Sequence, residues 1–426
     1  MASLLSNRGQ ENLAGLEIPW RFAPPASKRY NKVSNPSGLI SFATAENAGV
    51  QEELERYVAE NVRIPAAAFF YRYSTLGGPL FPAAMASFMN EHFNPFIPVE
   101  GNQILVASGI TGILNMLAFS LGDPGDAVLV SSPIYGRFEL DFSNEARLRI
   151  VYARMEGLDS FEEGVVERFE EAIKEAEASG TRIKALMISN PSNPLGICYP
   201  RETLRKIMAF CQNHRIHLIS DEVYGLSVFD TGNPDAMSFT SVLSFDTTGL
   251  IDDELLHVLY GMSKDFGAAG LRLGCLITRS VPVYRACTAI GRFHNPSGPS
   301  IAIGTAILED RAFHTSFLAR CRSRLSNAYK VTTGALEKAN IPYRKGGNAG
   351  LFVYVNLSAW LPDAGMSGQD REFALAQHLV DHGVFLHPGE EHCEEAGWFR
   401  LAFASLGDEE LTEGLRRLTS ALDSLA

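Results

Sequence analysis

Short apolar runs alternate with amphipathic stretches through most of the chain. Runs at 104–107, 127–130, 185–188, 217–219, 256–260 and 273–277 have the length and composition of buried strands. Between them lie stretches with helical patterning. Residues 51–61 carry Leu54 and Val58 at i, i+4 spacing, and 81–92, 113–120, 161–178 and 204–214 read as further helices. Turn residues punctuate the series, as in Ser108-Gly109-Ile110-Thr111-Gly112 and Asp123-Pro124-Gly125-Asp126. Strand and helix in alternation predict a mostly parallel sheet with helices on both faces. From about residue 303 the texture changes. A long helical stretch runs past Arg324 and Leu336, then a strand at 351–355, a helix at 371–382, and strands at 384–386 and 398–403. That tail predicts a smaller α+β domain, joined by the proline-broken arm of residues 1–45 (Pro19, Pro24, Pro25, Pro36). The expected division is an arm over 1–49 that is partly in the small domain, a large domain over 50–305 and a small C-terminal domain over 306–426.

Composition narrows the class. Hydrophobic content of 46% and charged content of 20% over 426 residues suit a globular chain with a large core. The net charge of −12 argues against a nucleic-acid partner. The charge-free stretch between Glu100 and Asp123 is interrupted by Asn102, Gln103, Ser108, Thr111 and Asn115. It therefore reads as strand, turn and helix, not as the roughly 20 apolar residues of a membrane span. The six cysteines (Cys198, Cys211, Cys275, Cys287, Cys321, Cys393) form no C-x-x-C pair, which fits reduced thiols and a cytoplasmic location. The start, residues 1–19, lacks the basic-then-apolar pattern of a secretory signal. The ten histidines show no metal-ligand spacing, so no metal site is expected.

The chemistry-bearing positions fall just beyond the predicted strands, where open α/β sheets place their ligands. After 256–260 comes Gly261-Met262-Ser263-Lys264-Asp265-Phe266-Gly267-Ala268-Ala269-Gly270-Leu271-Arg272. A lysine amine can form a Schiff base, while a serine hydroxyl and an arginine fork suit a phosphate. Together they suggest an aldehyde that carries a phosphate, which describes pyridoxal phosphate. The small-residue turn at 108–112 before a helix is a further anion cradle. Tyr135 follows 127–130 and could stack on a planar ring, or be a half-buried packing residue. Asp221 ends 217–219 with Tyr224 three residues on, and could be functional or a helix cap. Two Asn-Pro pairs lie in Ser189-Asn190-Pro191-Ser192-Asn193-Pro194-Leu195-Gly196.

These motifs, in this order, resemble fold-type I pyridoxal-phosphate enzymes of the class I/II aminotransferase family, in the 1-aminocyclopropane-1-carboxylate (ACC) synthase-like branch. Ser-Asn-Pro-Ser-Asn-Pro-Leu-Gly, Asp-Glu-Val-Tyr, Ser-Lys-Asp-Phe-Gly and Gly-Trp-Phe-Arg carry the likeness, over about 45–403. It implies a large domain with a mostly parallel seven-stranded sheet, a smaller α+β domain, and a homodimer with active sites at the subunit interface. By resemblance, Lys264 is the Schiff-base lysine, which later moves the α-proton. Asp221 partners the pyridine nitrogen, Tyr224 and Asn193 hold the ring 3-oxygen, and Tyr135 stacks on the ring. Ile110 (by its backbone), Thr111, Ser263 and Arg272 cradle the phosphate, and Arg400 grips the substrate α-carboxylate. Tyr73 would reach the phosphate of the partner subunit, although ungapped alignment of Gly77-Gly78-Pro79 puts Thr75 at that tyrosine's place. Glu46, in Ala45-Glu46-Asn47, matches a glutamate that reaches the active site in ACC synthases; the alternative is a cap on the helix from 51. Gly261 stands where a second phosphate-binding serine is usual, and Ile134 replaces a usual tyrosine. The expected activity is an ACC-synthase-like lyase acting on an amino acid through a Cα carbanion, with S-adenosylmethionine or a related sulfur-bearing compound as the candidate substrate. The alternatives are a carbon–sulfur lyase of secondary metabolism and an aminotransferase between an amino acid and a 2-oxo acid.

Overall fold

The computed structural model describes residues 4–18, 29–155, 158–362, 365–392 and 395–425. Pro19, Pro24, Pro25 and Cys393 lie outside them. After the short β1 (Ile40–Ser41) come β2 (Ile104–Ser108), β3 (Ala127–Ser131), β4 (Arg149–Ala153), β5 (Ile183–Ser189), β6 (His217–Asp221), β7 (Leu256–Gly261) and β8 (Leu273–Thr278). β2 to β8 form one seven-stranded sheet in the order β2-β8-β7-β6-β5-β3-β4. β3, β4, β5, β6 and β7 pair in parallel, and β8 runs antiparallel to both its neighbours.

Strand periodicity builds the two faces. Ile104 and Val106 enter one core with Leu129, Leu186, Leu218 and Val258, under the helices Phe81–His92, Val165–Ala178 and Arg201–His214. Leu105 and Ala107 enter the opposite core with Val128, Val130, Met187, Ile219 and Leu259, under Gly109–Leu121 and Val281–Ile290. Every residue of β3, β7 and β8 is buried, which is why these strands read as continuous apolar runs.

Three sequence expectations differ from the structure. The helix after β2 begins at Gly109, so Gly109 to Gly112 form its first turn and not a separate loop. β4 is an edge strand with only Ala153 buried, and its weak apolar run hid it. The long stretch after 303 is two helices, Gly298–Glu309 and Arg311–Lys338, divided at Asp310, whose carboxylate accepts from Phe313 N–H at 2.9 Å.

The C-terminal part supplies β9 (Val353–Asn356), β10 (Val384–Phe385), β11 (His387–Pro388) and β12 (Trp398–Leu401). β9, β11 and β12 form an antiparallel sheet in the order β11-β12-β9, while β10 pairs in parallel with β1 of the N-terminal arm. A separate core gathers Ile40, Phe42, Leu351, Leu379, Phe399 and Leu418. The arm is thus stitched into this core by Ile40 and Phe42.

The β7–β8 connection, residues 262–272, is too short for a helical crossover, so β8 must return antiparallel. It brings Lys264 and Arg272 to the edge of one cavity. Gly274 of β8 allows the start of the helix Gly109–Leu121 to lie against the strand. A Cβ there would meet Gly109 C at 2.4 Å and Ile110 N at 2.6 Å, both backbone atoms. Gly274→Ala should therefore cost about 1–3 kcal/mol. Urea unfolding checks this; an unchanged midpoint would mean the helix start can move away freely.

Candidate active site

The sheet's carboxyl ends, the first turn of the helix Gly109–Leu121 and the C-terminal sheet enclose a cavity of about 620 Å³. Its walls hold Ile110, Thr111, Tyr135, Asn193, Asp221, Tyr224, Ser263, Lys264, Arg272 and Arg400 together. Two other residues singled out by sequence do not line it. Glu46 is exposed, beside the wall residue Ala45. Tyr73 is half-buried against the first core in the short helix Tyr71–Ser74, and Thr75 is exposed.

Lys264 Nζ donates to Ala45 O at 2.8 Å and lies 5.9 Å from the centre of the Tyr224 ring. Burial, and then the charge of Arg400, pull its amine down to about 8, while Glu46 and Asp221 hold it up. Behind it, buried Asp265 accepts from Ser227 Oγ at 2.5 Å, Leu226 N–H at 2.9 Å and Tyr260 O–H at 3.0 Å. These bonds fix the loop that carries the lysine. From the other side, Gln51 Nε2 donates to Gly267 O at 2.6 Å.

Asp221, at the end of β6, accepts from Val223 N–H at 3.2 Å. Burial pushes its carboxyl up to about 7, opposed by that bond and by the Lys264 charge. Tyr224 is buried, its ring edge-on to Phe352 with centroids 5.4 Å apart; burial raises its phenol well above the ordinary range. Burial likewise raises Tyr135 to about 12.

At one end of the cavity, Arg272 stretches along the chain, from Nη1 to Ala269 O and from Nη2 to Ser108 O, each 3.2 Å. Gly109, at φ 83°, makes room for it, since a Cβ there would lie 2.5 Å from Nη2. The helix begins here without a side-chain cap on its free N–H groups. Gly261 lies beneath. A Cβ on it would sit 2.6 Å from Leu273 O, so the β7–β8 ladder leaves no space for a serine.

At the far end, buried Arg400 donates through Nη1 to Asn193 Oδ1 at 3.1 Å and through Nη2 to Ala43 O at 2.8 Å. Its Nε is buried with no hydrogen-bond partner. Sequence reasoning missed the residues around it. Glu391 contacts Arg137 Nε and His387 Nδ1, each at 2.6 Å. Burial would raise the Glu391 carboxyl, but His387, and then His392 and Arg400, hold it below the usual range. His392 Nδ1 meets Ile134 O at 2.9 Å, and a Cβ on Gly136 would overlap Glu391 O, so 387–392 is docked tightly on 134–137. Asp141 also lines the cavity; burial and the charge of Asp221 raise it to about 7. Position beside Tyr135 and before Gly397-Trp398-Phe399-Arg400 was the only signal for this group.

The donor set fits pyridoxal phosphate. An arginine, two hydroxyl residues (Thr111, Ser263) and an uncapped helix start suit the phosphate. A depressed lysine amine suits the aldehyde, and a buried carboxyl on the other wall suits the ring nitrogen. The helix Gln51–Asn61 has no side-chain N-cap, so Glu46 does not cap it.

A family model described as aminotransferase class I and II matches residues 38–418. The 1-aminocyclopropane-1-carboxylate synthase of Glycine max is 32% identical over 402 residues, which cover 91% of this chain and 81% of that protein. The 1-aminocyclopropane-1-carboxylate synthase 8 of Arabidopsis thaliana is 32% identical over 439 residues, covering 99% and 91%. A Mus musculus protein named a probable inactive 1-aminocyclopropane-1-carboxylate synthase-like protein 2 is 32% identical over 385 residues, covering 88% of this chain and 64% of its own length. Among solved structures, a Thermus thermophilus aspartate aminotransferase variant complexed with tryptophan aligns with a TM-score of 0.75 at 22% identity, covering 99% of this chain and 100% of that one. At that identity the likeness shows the fold alone.

The charges facing Lys264 set a test. In cofactor-free protein, trapping of pyridoxal phosphate on Lys264 by borohydride should rise with pH around a midpoint of about 8. Arg400→Gln removes a cation and should move the midpoint up; Asp221→Asn removes an anion and should move it down. A midpoint near the ordinary lysine value in all three proteins would contradict this account.

Proposed function

The chain belongs to the aminotransferase class I and II family of pyridoxal-phosphate enzymes, and from that premise we propose that it is an ACC-synthase-like lyase. Its substrate is an amino acid with a leaving group on the β or γ carbon, of the sulfonium or thioether class. The observation that carries this reading is the meeting of the Ala45-Glu46 segment with Lys264. Ala45 O holds the amine at 2.8 Å, and the Glu46 charge raises its proton affinity. An exposed carboxylate at the cavity rim, whose charge is felt at the amine, is suited to steer a sulfonium by charge attraction.

When bound, the cofactor supplies an electron sink for charge developing at the substrate α-carbon. Lys264 would hold it, and the lysine amine would take the α-proton of a bound substrate. With the amine lowered to about 8, a usable fraction of it is unprotonated near neutrality, far more than for an ordinary lysine, as a general base requires. Arg400 binds the α-carboxylate as a bidentate fork; Asn193 Oδ1 and Ala43 O already preorient its plane. Asp221 would keep the ring nitrogen protonated, and Tyr224 with Asn193 would hold the ring 3-oxygen. Arg272, Thr111, Ser263 and the Ile110 N–H would anchor the phosphate, and Tyr135 would cover the ring.

A carbon–sulfur lyase is the second reading. It is favoured by the Arg137–Glu391–His387 group, which lines the cavity on the side of Arg400. We further propose a homodimer, with Tyr73 reaching the partner's phosphate site. Its neighbours Phe69, Phe70 and Tyr71 are 74%, 72% and 98% exposed, an apolar cluster suited to an interface. A cytoplasmic location fits the free, buried Cys198, Cys211, Cys275, Cys287 and Cys321. No helix of the described residues is long and apolar enough to cross a membrane.

The holoenzyme, offered S-adenosylmethionine, a cysteine conjugate, or an amino acid with a 2-oxo acid, should release ACC or an elimination product by mass spectrometry. Pyruvate with ammonia from the conjugate alone selects the second reading, and a new amino acid as the sole product overturns both. Glu46→Gln should lower kcat/KM for a sulfonium substrate on the order of tenfold, and much less for a neutral conjugate.

A further inference from the structure

Away from the cavity, the end of the helix Phe81–His92 meets the start of the helix Arg311–Lys338. There Glu91, His92 and His314 each bring a ligand atom within 4.8 Å of the others. His314 is 2% exposed, and its Nδ1 has no hydrogen-bond partner. His92 Nε2 is enclosed and without a partner as well. Two orphaned imidazole nitrogens at one place are costly unless something takes up their lone pairs. The bland alternative is aromatic packing. Phe88 does pack on both rings, with centroids 4.5 Å from His92 and 5.2 Å from His314. That packing accounts for the ring faces and leaves the nitrogens unexplained.

We propose that Glu91, His92 and His314 form a binding site for a borderline divalent transition metal of the zinc type, which clamps the two helices together. Two imidazoles and one carboxylate make an N₂O donor set, with room on the exposed Glu91 side for water to complete the shell. Magnesium and calcium prefer all-oxygen shells, so the donor types select against them. The histidines lie far apart in the chain, which is why no ligand spacing shows in the sequence.

The surroundings are mixed. Glu91 is held by Arg311 Nε at 2.9 Å from each oxygen, but Arg311 is largely exposed and can turn away. Burial favours the neutral form of both imidazoles. Arg311 and Arg322 add positive charge near His92, and Asp310 and Glu91 offset it near His314. The clamp also reaches the catalytic scaffold. Phe88 packs at 5.5 Å on Phe266, which is two residues past Lys264.

Chelator-treated holoprotein titrated with Zn²⁺ alone in a calorimeter should show one saturable event per chain and a raised Tm. Co²⁺ in its place should give the visible absorbance of a low-coordinate site. Glu91→Gln and His92→Gln should each weaken binding at least tenfold and remove the Tm shift. Glu91 is at the surface, so that variant keeps the fold even if a His314 variant does not. Arg311→Gln breaks the same ion pair but keeps all three ligands, and should bind at least as well as wild type. Absence of saturable binding to wild type overturns the proposal. So does unchanged affinity in Glu91→Gln and His92→Gln, or a loss in Arg311→Gln equal to that in Glu91→Gln.

Discussion

Buried Asp265, through the hydrogen bonds it accepts from Leu226, Ser227 and Tyr260, holds the loop between β7 and β8 in place. Everything at the site is measured from that loop. One end carries Lys264 and the other Arg272, so the lysine and the phosphate-side cation share a single short connection. Were Asp265 absent, the buried hydroxyls of Ser227 and Tyr260 would face no acceptor, at a cost of about 1–3 kcal/mol each. A charged side chain is thus spent on positioning immediately beside the lysine proposed to perform the chemistry.

The same neighbourhood balances charge over short distances. Arg400 and Arg272 depress the Lys264 amine, while Asp221 and Glu46 support it. Asp221 is itself pushed up by burial and steadied by Lys264. Arg400 has no paired carboxylate within its own hydrogen bonds; it rests on an amide oxygen and a backbone carbonyl. Such neutral acceptors orient a guanidinium and leave its charge unspent for a substrate.

Much of this was legible in the sequence where the signal is local. The apolar strands β3, β7 and β8, the residues at strand ends and the run from Gly261 to Arg272 all stand out, because burial on both faces and turn chemistry leave marks on neighbouring positions. The edge strand β4 did not stand out, since one side of it faces solvent. Nor did the antiparallel sense of β8, which depends on connection length more than on composition. Gly261 read as a lost phosphate donor. In the fold it is a residue excluded from being anything larger by Leu273 O. The Arg137–Glu391–His387 group and the Glu91–His92–His314 cluster were silent because their members come from distant segments that only tertiary packing unites.

The docking of residues 387–392 on residues 134–137 has a further consequence. The groups proposed to hold the cofactor hang largely from the β7–β8 loop and the start of the helix at Gly109, whereas the wall proposed to face the substrate is made where two other loops touch. Mutations in those two loops can reshape what is accepted without disturbing how the cofactor is held. Lineages descending from such a chain could trade one amino-acid substrate for another in a few steps. The half of the pocket that holds the cofactor would then stay fixed, and the docked loops would record the present diet of the enzyme.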